Sequence, residues 1–241
     1  MQKLNKMFHL SLDDVGSILF SERKCGNPVL SNFINHTHER YHCSWGLNFF
    51  TSWDGGNIFD CDISELFNKS AAYVGCHAPN KDTKPYELSF KENQKWISDF
   101  YQAVKSYDVH LSRLVRFHYY SELYDCASLL NSVGVEGIFL TDRPAISYHL
   151  PEKEKKILKE NRSLNFKGLN LHCTDLRLEW IKELNPSRKD LVNMFTLYSN
   201  RSTPLVIYGH EYEFQDPYLY EVTELVIDVL VNDLGFKCLK P

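Results

Sequence analysis

"MFHLSLDDV", residues 7–15, is an apolar run that ends on two adjacent carboxylates. Met7–Leu12 reads as a strand, and Asp13-Asp14 stands at its C-terminal end. The same order, a short apolar run followed by polar residues and then an amphipathic stretch, recurs along the chain. Further strand candidates are Ser44–Phe50, Tyr73–Cys76, Arg113–Phe117, Gly137–Leu140, Leu169–Cys173 and Leu205–Tyr208. Strands that alternate with helices predict a parallel sheet with helices packed outside it. The expected fold class is therefore α/β, a distorted or incomplete (β/α)7 barrel with parallel strands. Periodicity alone also admits an open doubly wound sheet.

Helix boundaries have their own signals. Asn27-Pro28 predicts one start, Ser89 with Glu92 a capping box, and Ser187 with Asp190 a second such box. Asp216-Pro217 opens the last helix, which Gly235 closes. Trp96, Ile97, Phe100, Tyr101 and Val104 fall on one helical face, as do Leu219, Val222, Val226, Val229 and Leu230. Between Asp14 and Asn27 a loop is expected. No shift in composition and no Pro/Gly/Ser linker divides residues 1–241, so a single domain is expected.

The composition excludes several classes of function. A net charge of −4 leaves no electrostatic footprint for nucleic acid or an anionic membrane. No apolar run approaches the ~20 residues that span a bilayer. The first residues run straight into a strand, without the apolar stretch and cleavage site of a signal peptide. Seven cysteines are scattered singly, an odd number with no C-x-x-C, which encodes neither a disulfide framework nor a zinc ribbon. A reducing, cytoplasmic location is the expectation; oligomeric state is not indicated. The 14 Tyr and 15 Phe suit an aromatic-walled core and equally a sugar-binding cleft.

Function is suggested by where the polar residues fall. In a β/α barrel the C-terminal strand ends form one mouth. Here those ends carry Asp13-Asp14, His77, His118, Asp142, Asp175 and His210-Glu211. Such convergence suits a metal-assisted hydrolase, which needs about three protein ligands, an acid and a base. Taken singly, each has an ordinary reading: Asp13-Asp14 as a helix cap, the histidines as hydrogen-bonded barrel residues. Arg116 has two readings, orienting a carboxylate such as Asp13 by a forked contact or forming an internal ion pair. Asp175, Arg177 and Glu179 read as support for metal or catalytic groups, or as plain surface alternation.

These motifs, in this order, resemble the polysaccharide deacetylase family (NodB-like carbohydrate esterases), in an atypical branch. LSLDDV (10–15) is similar to the family's T-F-D-D-G, CHAPN (76–80) to its histidine motif, and RFHYY (116–120) to R-x-P-Y. TDRP (141–144) lies near the position of the fourth motif, and YGHEYEF (208–214) resembles the final strand-end histidine. The resemblance implies a distorted barrel that removes acyl groups, usually acetyl, from N-acylated sugars or polysaccharides. It implies one divalent metal ion, zinc before nickel or cobalt, with Asp13 as general base, Asp14 and His77 as ligands and His210 as general acid. Asp142, Asp175 and Glu211 would then bind substrate or support the site. Two departures stand out: Lys81 replaces the family's second histidine, and Val15 replaces its glycine. Protonated lysine is no ligand. Either His118 supplies the third ligand, or the metal site is lost and the chain is a catalytically inactive carbohydrate-binding relative.

HERYH (38–42) matches the H-E-x-x-H zinc-peptidase signature through His38, Glu39 and His42, with Glu65 at a distance suited to a third ligand. That reading makes the chain a zinc metallopeptidase. The next strand begins only two residues after His42, however, so His42 sits at a fraying helix end or beyond it, and the motif is expected to be a decoy.

Overall fold

The apolar runs become strands because β-branched and aromatic residues fill both faces of a buried parallel sheet. The computed structural model describes residues 6–60, 62–68, 70–141 and 149–241. Its strands are β1 (Met7–Val15), β2 (Trp45–Phe50), a small hairpin of β3 (Ser52–Trp53) and β4 (Gly56–Asn57), and β5 (Ala72–Ala78). They continue with β6 (His110–Leu111), β7 (Leu114–Val115), β8 (Gly137–Leu140) and β9 (Ser163–Phe166). The last are β10 (Leu169–Cys173), β11 (Leu176–Arg177), β12 (Leu205–His210) and β13 (Lys237–Cys238). The helices are α1 (Ser17–Lys24), α2 (Val29–Tyr41), α3 (Phe90–Val104) and α4 (Ala127–Ser132). After them come α5 (Glu152–Asn161), α6 (Leu178–Glu183), α7 (Arg188–Thr196) and α8 (Pro217–Asp228).

One sheet runs β11-β12-β1-β2-β5-β6, and β13 also pairs with β1. A second runs β7-β8-β10-β9. The chain itself joins them twice. Segment 110–115 leaves β5 as β6 and reaches β8 as β7, while segment 169–177 leaves β8 as β10 and reaches β12 as β11. The bends are stitched by Ser112 N–H to the Val74 carbonyl (2.8 Å), Thr174 N–H to Leu140 (2.7 Å) and Asp175 N–H to Val206 (3.0 Å). The outcome is the expected parallel α/β architecture, a barrel distorted at two bent strands. β9, antiparallel to β10, and the β3–β4 hairpin are the exceptions to parallel pairing.

Along β1 the two faces part company. Phe8, Leu10 and Leu12 join the apolar cluster, whereas Ser11 and Asp13 turn to a buried arginine, Arg116. The predicted caps at Ser89/Glu92 and Ser187/Asp190 form as reciprocal capping boxes, and Asp216 caps α8 through Tyr218 N–H. Two expectations are corrected. The loop expected between Asp14 and Asn27 contains α1, whose N-terminus receives no side-chain bond from its own N-cap residue. The strand expected over Arg113–Phe117 is regular only at Leu114–Val115 and gives way to a tight turn at His118–Tyr120.

Candidate active site

Parallel strands place all their C-terminal ends on one side, and four of them supply the cleft. Asp13 and Asp14 come from β1, His77 from β5, Arg116, Phe117 and His118 from the segment after β7, and His210 from β12. Together with Tyr119, Tyr120 and Tyr212 they line a cleft of about 210 Å³. Neighbours on a strand normally face opposite ways. The β1–β2 register shifts between Leu12 and Val15, and Asp14 takes a left-handed φ of 58°. This bulge is what lets both carboxylates reach one cleft.

Asp14, His77 and His118 converge on a single point. His77 Nε2 lies 3.1 Å from Asp14 Oδ1 and 3.1 Å from His118 Nδ1, and His118 Nδ1 lies 3.3 Å from the same Oδ1. The other ring nitrogens settle the tautomers. His77 Nδ1 is 2.5 Å from the carbonyl of Arg116, and His118 Nε2 is 3.1 Å from that of Lys81. A carbonyl only accepts, so these nitrogens carry protons, and in the neutral form of each ring the other nitrogen aims a bare lone pair at its neighbour and at the carboxylate. Three lone pairs at this separation call for a positive charge between them. Burial pushes the Asp14 carboxyl up, but its contacts with His118 and His77 outweigh that and hold it well below the usual range. Burial pulls His77 down, and Asp14 and Asp13 raise it on balance. Donor atoms held about 2.0–2.1 Å from a tetrahedral ion stand about 3.3 Å apart, so the residues fit a divalent metal.

Beside this trio, Asp13 is buried against Arg116. One guanidinium nitrogen, Nη1, reaches both carboxylate oxygens at 3.0 and 3.1 Å and also Ser11 Oγ at 3.0 Å. Nη2 donates to Thr174 Oγ1 at 3.2 Å, so the contact is one-nitrogen chelation rather than the expected two-nitrogen fork. Asn48 Nδ2 donates to Asp13 at 2.9 Å, and the Tyr208 ring lies 4.2 Å from the guanidinium carbon. Across the cleft, the backbone N–H of His210 donates to Glu179 Oε1 at 2.6 Å, and its Nδ1 lies 3.2 Å from the same atom. Burial pushes Glu179 up, and the bonds from His210 bring it below the usual carboxylate range. With Nδ1 engaged, Nε2 is the nitrogen left for chemistry in the cleft.

The remaining sequence-predicted residues are placed elsewhere. Lys81 turns outward to Asp54 (2.7 Å), and only its backbone carbonyl serves the site, by orienting His118. Asp175 binds Arg162 (3.0 Å), Arg201 (2.6 Å) and the Val206 N–H (2.9 Å), and so braces the strand bend rather than the cleft. Glu211, fully buried, accepts from the N–H groups of Gly16 (3.1 Å), Ile18 (3.0 Å) and Leu19 (3.0 Å), which makes it the N-terminal anchor of α1. Burial pushes its carboxyl up to about 7 against those three bonds. Asp142 lies outside the described residues. Val15 stands where glycine was expected; the glycine comes one position later, where a Cβ on Gly16 would meet the Trp53 ring at 2.7 Å.

HERYH does not assemble. α2 ends at Tyr41, His42 caps it in the left-handed conformation, and His38 Nδ1 bonds the Cys43 carbonyl at 2.8 Å. Glu39 holds Asn68 and Glu65 pairs with Arg23. Asn48, Thr174, Tyr208 and Tyr212 line or brace the site without having been singled out in the sequence. Only their distance along strands from the motif residues could have flagged Asn48 and Tyr208.

No family model matches the chain, and no curated protein sequence matches it. By structure it is similar to a family 4 carbohydrate esterase from Streptomyces lividans in complex with acetate. That match has a TM-score of 0.55 and 13% identity over 98% of this chain and 92% of the other. It is similar to the peptidoglycan deacetylase PdaC of Bacillus subtilis, with a TM-score of 0.52 and 16% identity over 99% and 89%. It also matches a 4-alpha-glucanotransferase from Thermococcus litoralis at a TM-score of 0.61 and 12% identity, over 99% of this chain and 39% of that one. At these identities the likeness is one of fold: the chain has the distorted β/α barrel architecture seen in a carbohydrate esterase and a peptidoglycan deacetylase.

Proposed function

We propose that this chain is a metal-dependent hydrolase that removes an acyl group, acetyl foremost, from an N-acylated sugar or polysaccharide. The observation that carries the proposal is the convergence of three lone pairs from Asp14, His77 and His118 next to a buried carboxylate and an oriented histidine. Asp14, His77 and His118 would hold one divalent ion, zinc being the first choice for two imidazoles and a carboxylate. Such an ion, when bound, supplies a Lewis acid for the amide carbonyl and lowers the pKa of water.

The chain's own groups do the rest. Asp13, held in place by Arg116 and Asn48, takes the proton of the attacking water. His210 gives its Nε2 proton to the departing amine, and Glu179 stabilises the charge that the ring carries beforehand. The aromatic rim of Tyr119, Tyr120 and Tyr212 offers flat faces to a sugar ring and limits water in the cleft. The likeness in fold to carbohydrate esterases supports the choice of a carbohydrate amide over other acyl compounds.

The test is elemental analysis of the purified protein beside Asp14→Ala and His77→Ala, with acetate release from N-acetylated sugars measured on the same samples. About one divalent ion per chain, lost in both variants together with acetate release, is the expected result. Absence of metal from wild type after exposure to zinc, nickel and cobalt would refute the hydrolase reading.

A further inference from the structure

Polar groups continue into the barrel interior below the cleft. Alternate residues of a strand point the same way, so His9, Ser11 and Asp13 share one face of β1, and all three are buried. Arg116 serves the upper two. Its Nη1 reaches Asp13 and Ser11 Oγ, and its Nη2 reaches Thr174. Its third nitrogen, Nε, has no hydrogen-bond partner among the described residues, and neither has either ring nitrogen of His9. Both groups pack on Phe139: the His9 ring lies 4.4 Å from it, centroid to centroid, and the guanidinium carbon 5.2 Å from the same centroid. The fold makes room for an imidazole at this depth. Gly46 stands opposite Ser11 on β2, and a Cβ on it would meet His9 Cε1 at 3.3 Å and Nε2 at 3.4 Å.

Resting on the deacetylase reading, we propose that His9 is a positioning residue: through one ordered water it completes the hydrogen bonding of Arg116 Nε, and so fixes the guanidinium that holds the base Asp13. The Nε–H group only donates, whereas a neutral imidazole has one donor and one acceptor nitrogen. No direct bond joins them, but a water that accepts from Nε–H and donates to the bare ring nitrogen satisfies both. Leaving such groups unpaired in the interior costs more than immobilising a water, and buried waters characteristically bridge groups of this kind. The imidazole is neutral here. Burial lowers its pKa most, and Arg116 and then His172 lower it further. An apolar side chain at position 9 would pack on Phe139 equally well but would leave Nε with nothing to bind. The column Asp13, Arg116, water, His9 thus carries the support of the base from the cleft down into the barrel interior.

The first test is a high-resolution crystal structure of the wild-type protein. It should show a water within hydrogen-bonding distance of both Arg116 Nε and one ring nitrogen of His9. A water bound to only one of them, or none, overturns the proposal. The second test measures acetate release from N-acetylglucosamine oligomers by metal-loaded wild type, His9→Leu, His9→Asn and His9→Gln. In His9→Leu, kcat should fall about tenfold, roughly the worth of one hydrogen bond to a charged group, while KM and metal content stay at wild-type values. Asparagine and glutamine set an amide where Nδ1 and Nε2 stand, so one of the two should restore most of kcat. If His9 only fills the core, removing an unpaired imidazole leaves kcat unchanged, and that result overturns the positioning role. So does equal loss in all three variants, or loss of metal along with kcat. Should wild type release no acetate, the deacetylase reading fails by itself. The crystal structure then still decides whether His9 and a water complete Arg116, as it does if no His9 variant folds.

Discussion

Replacing Arg116 by methionine removes the counter-charge of Asp13 while keeping the bulk of the side chain. The two side chains are 1% and 3% exposed and meet through two contacts of 3.0 and 3.1 Å, with a third from the guanidinium to Ser11 Oγ at 3.0 Å and the Tyr208 ring over the guanidinium. Breaking a buried pair of this kind by deleting one partner costs about 3–5 kcal/mol, because the other charge stays buried without compensation. In a chain of this size that lowers the midpoint of thermal unfolding by roughly 6–20 °C. Asp13→Asn should cost a similar amount, whereas the double variant Asp13→Leu/Arg116→Met should cost less than either single change, since neither charge remains. Urea unfolding of the four proteins measures this directly. Metal content should stay at the wild-type level in Arg116→Met, since His77 uses the backbone carbonyl of Arg116 and not its side chain. Acetate release should nonetheless be lost. A single-variant cost below about 1 kcal/mol, or costs that add in the double variant, would refute the buried ion pair as the support of Asp13.

Three other outcomes are expected. His118→Ala should abolish tight metal binding and Lys81→Ala should leave it within a few-fold of wild type, because only the carbonyl of Lys81 contacts the site; elemental analysis distinguishes the two. His38→Ala should retain full metal content, and loss of metal there would revive the peptidase signature. Stability should depend on pH through Glu211, whose carboxyl is raised from 4.5 to about 7 in the folded chain. The folded state binds the extra proton, so this stabilisation is complete below pH 4.5 and is lost as pH rises towards 7. The shift corresponds to about 3 kcal/mol at most, and Glu211→Gln should flatten that part of the denaturation profile.

Much of the architecture could be read locally. Each of the seven apolar runs holds a strand in the expected order, Arg113–Phe117 only over Leu114–Val115, since a run of that length has few other ways to bury both faces. Capping boxes at Ser89 and Ser187 formed for the same reason: donor and acceptor lie three residues apart, within reach of any helix start. Parallel strand direction then placed Asp13, Asp14, His77, His118 and His210 at the same end of the sheet.

What the sequence by itself did not determine depends on partners far away along the chain. α1 went unnoticed because its N-terminus is held by Glu211, 195 residues from Gly16, and no nearby residue carries the signal. That both neighbouring carboxylates enter one cleft follows from a register shift against β2, which no local pattern encodes. HERYH has the letters of a metal site, yet His42 turns left-handed at the helix end and its neighbours are bound elsewhere. Asp175 was at a strand end, but the arginines at 162 and 201 claim it. Local periodicity marks most of the elements and the direction of the main strands; hydrogen-bond partners brought in by the tertiary fold decide which of the polar residues at their ends face one another.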